Sequence, residues 1–136
     1  MRVRPTALVV APLAVLALTA CEKPAPQVTV HAGGTVVNLD AVRYCHDECK
    51  DHEAKVKTLE VSSGDVVSFN VPTHVAEEGW YLRREGQQSG EQPRKKLHFS
   101  LPIDAPLEAP VTIEIVQGEQ GGTPEGLWKL TLTPEG

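Results

Sequence analysis

The sequence has little positive charge, few aromatic rings and almost no methionine. Thirteen Lys and Arg stand against 18 Asp and Glu, a formal net charge of −5. That balance argues against a nucleic-acid partner, because phosphates select clustered basic side chains. Met1 is the single methionine, so the weak axial ligand usual in blue-copper sites is missing from the body of the chain. No Gly-x-Ser-x-Gly occurs and no Ser/His/Asp set can be singled out by spacing. A hydrolase reading therefore has no visible nucleophile elbow or triad. Helical periodicity is scarce as well, and there is no internal repeat or long low-complexity tract. The chain is nonetheless 40% hydrophobic, too much for a wholly disordered protein.

What is present begins with an address. Arg2 and Arg4 precede an apolar run from Ala7 to Leu18, the pattern of a secretory signal peptide over residues 1–20. The run is shorter than the roughly 20 residues that span a bilayer as a helix, and it contains Pro12. Leu18-Thr19-Ala20-Cys21 resembles the bacterial lipobox, in which the cysteine is diacylated and the leader is cut immediately before it. Cys21 is accordingly the expected lipidation site, with palmitate among the expected acyl groups. Two chains give stable anchoring where one is marginal. Loss of the leader leaves 116 residues with 11 Lys and Arg against 18 acids, formally −7. Residues 21–26 are polar and proline-rich and read as an extended tether. At about 3.3 Å per residue it reaches at most roughly 20 Å, which would hold the domain against the extracytoplasmic face of the cell membrane.

From Gln27 onward the apolar residues alternate. Val28 and Val30 lead to Gly33-Gly34 and then Val36-Val37, a hairpin pattern over Gln27–Leu39. Val56, Leu59 and Val61 precede a Ser63-Gly64-Asp65 turn, and Val67, Phe69 and Val71 follow it. Further short runs lie at Trp80–Leu82, Leu97–Leu101, Val111–Ile115 and Leu127–Leu132. The pattern predicts an all-β domain over residues 27–136, an immunoglobulin-like antiparallel β-sandwich of about seven to nine short strands. Trp80 and Trp128 are expected to plug its core. His46–Ala54 is the one place where a polar helical turn is expected, while Gly86–Arg94 and Gly118–Gly126 read as loops.

With Cys21 acylated, Cys45 and Cys49 remain as an even pair in an oxidising compartment, and a disulfide between them is expected. The alternative is a metal site, zinc or copper, built from Cys45, His46, Cys49 and His52, since thiolate and imidazole ligands suit both ions. That alternative requires the two thiols to stay reduced outside the cytoplasm. Glu77-Glu78 before Trp80 raises the thought of paired carboxylates, but neighbours on a strand point to opposite faces, so they read as a charged turn. Arg83-Arg84 and Arg94-Lys95-Lys96 form the one basic concentration, a possible contact for anionic headgroups or wall polymer.

Val28-Thr29-Val30, Ala32-Gly33-Gly34-Thr35-Val36, Arg43-Tyr44-Cys45, the Ser63-Gly64-Asp65 turn and the closing Gly126-Leu127-Trp128 together make the chain similar to the actinobacterial lipoproteins classed as domain of unknown function 2771. The resemblance implies a lipobox and no established activity, so no functional residues carry over. The expectation is a non-enzymatic, lipid-anchored binding or accessory module. It needs no cofactor, touches the membrane through Cys21 and meets a protein or polymer partner in the cell envelope.

Overall fold

The computed structural model describes residues 23–135. Within them the alternating runs become ten strands: β1 (Val28–Ala32), β2 (Thr35–Leu39), β3 (Arg43–Cys45), β4 (Cys49–Asp51), β5 (Lys57–Val61), β6 (Val66–Asn70), β7 (Trp80–Arg84), β8 (His98–Pro102), β9 (Val111–Gln117) and β10 (Gly126–Pro134). One helix, α1 (Thr73–Glu78), lies between β6 and β7. The first sheet has the order β2-β1-β6-β8, and the second runs β4-β3-β10-β9-β7 with β5 also paired to β10. The all-β sandwich is present, with a slightly higher strand count than the alternation suggested.

Local chemistry explains the first hairpin. Gly33 and Gly34 have φ of +56° and +83°, and Ala32 pairs with Thr35 across them. A two-residue turn with positive φ at both positions matches the twist of the flanking strands, and glycine adopts it without steric cost.

β10 carries the second sheet. Seven of its residues pair with β9 along one edge, from Gly126↔Gln117 to Leu132↔Val111. Its other edge is divided: Gly126 and Leu127 pair with β3, and Leu130 to Pro134 pair with β5. The β5 pairing is parallel, a departure from the wholly antiparallel expectation. Parallel neighbours need a long connection between them, and here most of the sandwich is that connection. Trp128, Leu130 and Leu132 point inward along β10 and are buried.

The core is the space between the sheets. Val28, Val30, Val67 and Phe69 from one side and Trp80, Ile115, Trp128 and Leu130 from the other are each 0% exposed. Both tryptophans fill the core as expected, and neither indole N–H is left unpaired. Trp80 Nε1 donates to the Lys96 carbonyl at 2.7 Å, and Trp128 Nε1 donates to the Pro26 carbonyl at 2.9 Å.

These registers define two poles. The start of β1, α1, the start of β10 and the β3–β4 hairpin lie at one, where Trp128 fastens Pro26. At the other lie the Gly33-Gly34 turn, the Ser62–Asp65 turn, Ile103 and the end of β10. There Ile103 N–H donates to the Asp65 carbonyl, Gly64 N–H donates to the Ile103 carbonyl, and Glu135 N–H donates to the Val61 carbonyl.

Two expectations are corrected. Residues 46–54 form no helical turn: they complete the β3–β4 hairpin, because Arg43, Tyr44 and Cys45 pair with Asp51, Lys50 and Cys49. The helix is instead Thr73–Glu78, entered at Pro72 and ended at Gly79 with φ of +101°. Proline before a first turn and glycine after the last are the usual punctuation of a helix. Only Val75 and Ala76 of this helix are buried, so it left no apolar periodicity to read.

Gly126 is set by a close approach. A Cβ there would stand 2.7 Å from Gln117 Oε1 and 2.7 Å from the Trp128 ring. Gly126→Ala should therefore cost about 1–3 kcal/mol as Trp128 and Gln117 are displaced, measured by chemical denaturation. A stability equal to wild type would show that this end of β10 is loosely packed.

Candidate functional site

The pole that holds Pro26 also gathers the residues with chemistry. Cys45 and Cys49 face each other across the β3–β4 hairpin and are joined by a disulfide, their Cα atoms 3.9 Å apart. The bridge closes the three-residue loop His46-Asp47-Glu48. A ring this small stabilises by about 2 kcal/mol on the chain-entropy argument, so its effect is mainly to fix the hairpin locally. Tyr44 stands beneath the loop, with its ring 4.7 Å from His46, 6.0 Å from His74 on α1 and 6.1 Å from Trp128, centroid to centroid. Lys23, Ala25, Tyr44, His46, Lys50 and His52 border an open groove of about 650 Å³ between the hairpin and the segment leading into β1.

Beside this groove Glu78, at the end of α1, meets Glu125, the residue before β10. The two carboxyls share a hydrogen bond, which raises the Glu125 pKa and lowers that of Glu78. Desolvation adds to the rise at Glu125, and a hydrogen bond from Gln117 adds to the fall at Glu78. Two carboxylates this close cannot both ionise freely, so the pair holds one proton more tightly than isolated glutamates would. Gln117 is 2% exposed and gives its Nε2 hydrogen to Glu78 Oε2 at 2.9 Å. Its Oε1, packed against Gly126, has no hydrogen-bond partner among the described residues. The Tyr44 phenol is pushed above its ordinary value, chiefly by burial and then by Glu78 and Glu125. It stays a neutral phenol, a poor base and a poor nucleophile.

The sequence-predicted residues fall out unevenly. The disulfide stands as expected, and it takes both sulfurs away from the metal alternative, leaving His46 and His52 without thiolate companions. Among the described residues no group of three or more His, Cys, Asp and Glu is placed to hold a metal ion. Cys21 and the signal peptide of residues 1–20 lie outside the described residues. Glu77-Glu78 are not a turn before a strand but the last turn of α1, and the carboxylate partner of Glu78 is Glu125, 47 positions along the chain. No spacing rule links the two, since only the pairings of β9, with β7 on one side and β10 on the other, bring them together.

The basic concentration does not assemble into one patch. Arg83 Nε binds Glu114 Oε1 at 3.0 Å on the outer face of the second sheet, with Lys129 nearby. Arg94 lies across the rings of Phe99 and Trp80, 3.7 and 5.1 Å from their centroids, and pairs with Glu91 at 2.9 Å. Arg94 Nη1 is buried with no hydrogen-bond partner among the described residues. Its charge faces the two π-systems instead. Arg94 also exchanges backbone hydrogen bonds with Trp80. It thereby fastens the β7 edge of one sheet to the β8 edge of the other near the first pole.

The sequence matches the family described as protein of unknown function (DUF2771) over residues 21–117. The chain belongs to that family. No curated protein and no solved structure matches it. In this DUF2771 chain the matched span takes in Cys21, the disulfide hairpin, α1 and the strands through β9. Gly126-Leu127-Trp128, which contributed to the resemblance seen in the sequence, lie beyond it. No helix among the described residues is long and apolar enough to cross a membrane.

The carboxyl pair of this DUF2771 domain gives a signed pH effect. Glu125, with its pKa raised, contributes stability at low pH that is lost as pH rises through its folded value. Glu78, with its pKa lowered, contributes stability above the ordinary glutamate range that is lost as pH falls through its folded value. Both side chains are exposed, so the effects are modest. In Glu125→Gln the amide donates to Glu78 at every pH. The variant should melt close to wild type near about pH 5 and above it near about pH 7.5. Parallel melting curves across that range would contradict a shared proton.

Proposed function

We propose that the protein is a lipid-anchored, non-enzymatic binding module at the extracytoplasmic face of the cell membrane, serving a partner in the envelope. The observation that carries this reading is the docking of the tether. Ala25 packs against the core and the Pro26 carbonyl accepts the Trp128 indole hydrogen. Only residues 22–24 then separate an acylated Cys21 from the folded surface at Ala25, a reach of at most roughly 14 Å. The tether pole, with its disulfide hairpin, would lie at the bilayer and the opposite pole would face the envelope. The family match, which begins at Cys21, supports the same reading.

The groups at the site support a non-enzymatic reading. The best-gathered polar residues are two exposed carboxyls sharing a proton, a buried amide and a phenol kept neutral by its surroundings. None pairs a nucleophile with a base. Sandwiches of this kind present loops and strand edges to partners, and the two poles here offer both.

The test is the intact mass of protein extracted from its own envelope without reductant. The expected species starts at Cys21, carries a diacylglyceryl group there and is two hydrogens lighter than its dithiol form, with no thiol titrated. An unmodified Cys21 would overturn the anchor. Two free thiols with one equivalent of zinc or copper would overturn the binding-module reading in favour of a metal site at Cys45, His46, Cys49 and His52.

A further inference from the structure

At the pole opposite the tether the sandwich is open on one side. Near the first pole Arg94 and its backbone bonds to Trp80 close the gap between β7 and β8, but at the second pole the sheets part around a cleft of about 460 Å³. Leu82, Leu101, Leu107, Val111, Ile113 and Leu132 form its apolar lining, and Gln87, Gln88 and Ser89 of the loop after β7 also border it. Leu101, Leu107 and Val111 are only half-buried, so the cleft is an unfilled extension of the core that reaches the surface. Its volume falls within the range of small-molecule sites.

The mouth carries charge. Along β7, Trp80 and Leu82 face the interior and Arg84 follows on the same side, paired in register with the core-facing Ile113. Arg83 points the other way, to Glu114. Arg84 lines the cleft, is exposed and has no ion-pair partner among the described residues. Of the two acids on the rim, Glu91 is held by Arg94 and by the Leu82 N–H. Asp104, two residues beyond β8, also lines the cleft.

We propose that this cleft binds one long-chain fatty acid, with the alkyl chain between the sheets and the carboxylate at Arg84. An alkyl chain completes the apolar lining, and a single anionic head satisfies the one unpaired cation at the entrance. Because the cleft opens at the pole away from the tether, the ligand is taken from the envelope side and not from the bilayer beneath. A bare guanidinium on the inward side of an edge strand also discourages edge-to-edge pairing. In that role alone Arg84 would not affect a ligand.

The proposal deepens the binding-module reading by naming its ligand. The experiment uses the full-length protein in isolated membranes and a palmitate analogue bearing a photoactivatable diazirine, counting only adducts that require illumination. Adducts should map to residues 82–84 and 101–111 and should disappear with excess unlabelled palmitate. Arg84→Gln should lower them about threefold to fivefold, the worth of one partly exposed charge pair. Asp104→Asn should not lower them, and Leu107→Glu, which places a further anion among the apolar lining residues, should abolish them. Adducts spread evenly, centred on residues 43–52 or insensitive to competition would overturn the site. Unchanged labelling in Arg84→Gln, with self-association in its place, would assign Arg84 to edge protection and overturn the head-group assignment. The anchor is decided separately by the mass at Cys21, so either reading can fail without the other.

Discussion

The structure depends on one strand having three partners. β10 accepts β9 along one side and divides its other side between β3 and β5. Without it the second sheet would be three disconnected pieces: a disulfide hairpin, a lone strand and the β7–β9 ribbon. A central strand in that position must be inward-apolar and unbroken, and Trp128, Leu130 and Leu132 meet the requirement. The absence of a side chain at Gly126 lets the Trp128 ring and Gln117 close over its first residue. The same residue pair determines where the tether docks, because the indole that fills the core also binds Pro26.

This arrangement divides the molecule into a pole with a polar cluster and a pole with an apolar cleft. At the first, Tyr44, Glu78, Gln117 and Glu125 form a small polar cluster beneath the disulfide loop. At the second, the sheets separate and leave apolar surface that no described residue covers completely. The bridge between β7 and β8 explains the difference. Arg94 stacks on one ring from each sheet and seals the near end of the open side, whereas no such clasp exists at Leu82 and Leu101 among the described residues. Under the proposed anchoring at Cys21, the cleft end of this chain faces away from the bilayer.

Much of the fold was legible in the sequence because period-two alternation reports a half-buried sheet directly. The Gly33-Gly34 hairpin and the Ser63-Gly64-Asp65 turn were visible for a further reason, since each needs glycine or a short polar side chain at a fixed place. In the second turn Asp65 accepts the Ser62 N–H at 2.8 Å. The two tryptophans also behaved as their size suggests. The β3–β4 hairpin and α1 leave no signal in the sequence because each is too short to show a period. Three-residue strands with a charged loop look like any polar turn. The polar cluster was harder still. Glu78 and Glu125 are linked only through the pairing of β9 with β10, and the parallel β5–β10 contact likewise has no local signature. The disulfide could be expected from parity and compartment, yet its place in a hairpin came from the register.

The account turns on which pole meets the bilayer, and paramagnetic relaxation tests that most directly. The full lipidated protein would be placed in nanodiscs containing headgroup-chelated gadolinium, and amide signals compared with and without the metal. The account predicts strong attenuation at residues 43–52 and 73–78, and little at Gly33-Gly34, Ser62–Asp65 and residues 102–107. Attenuation of the cleft pole, or equal attenuation of both, would contradict it.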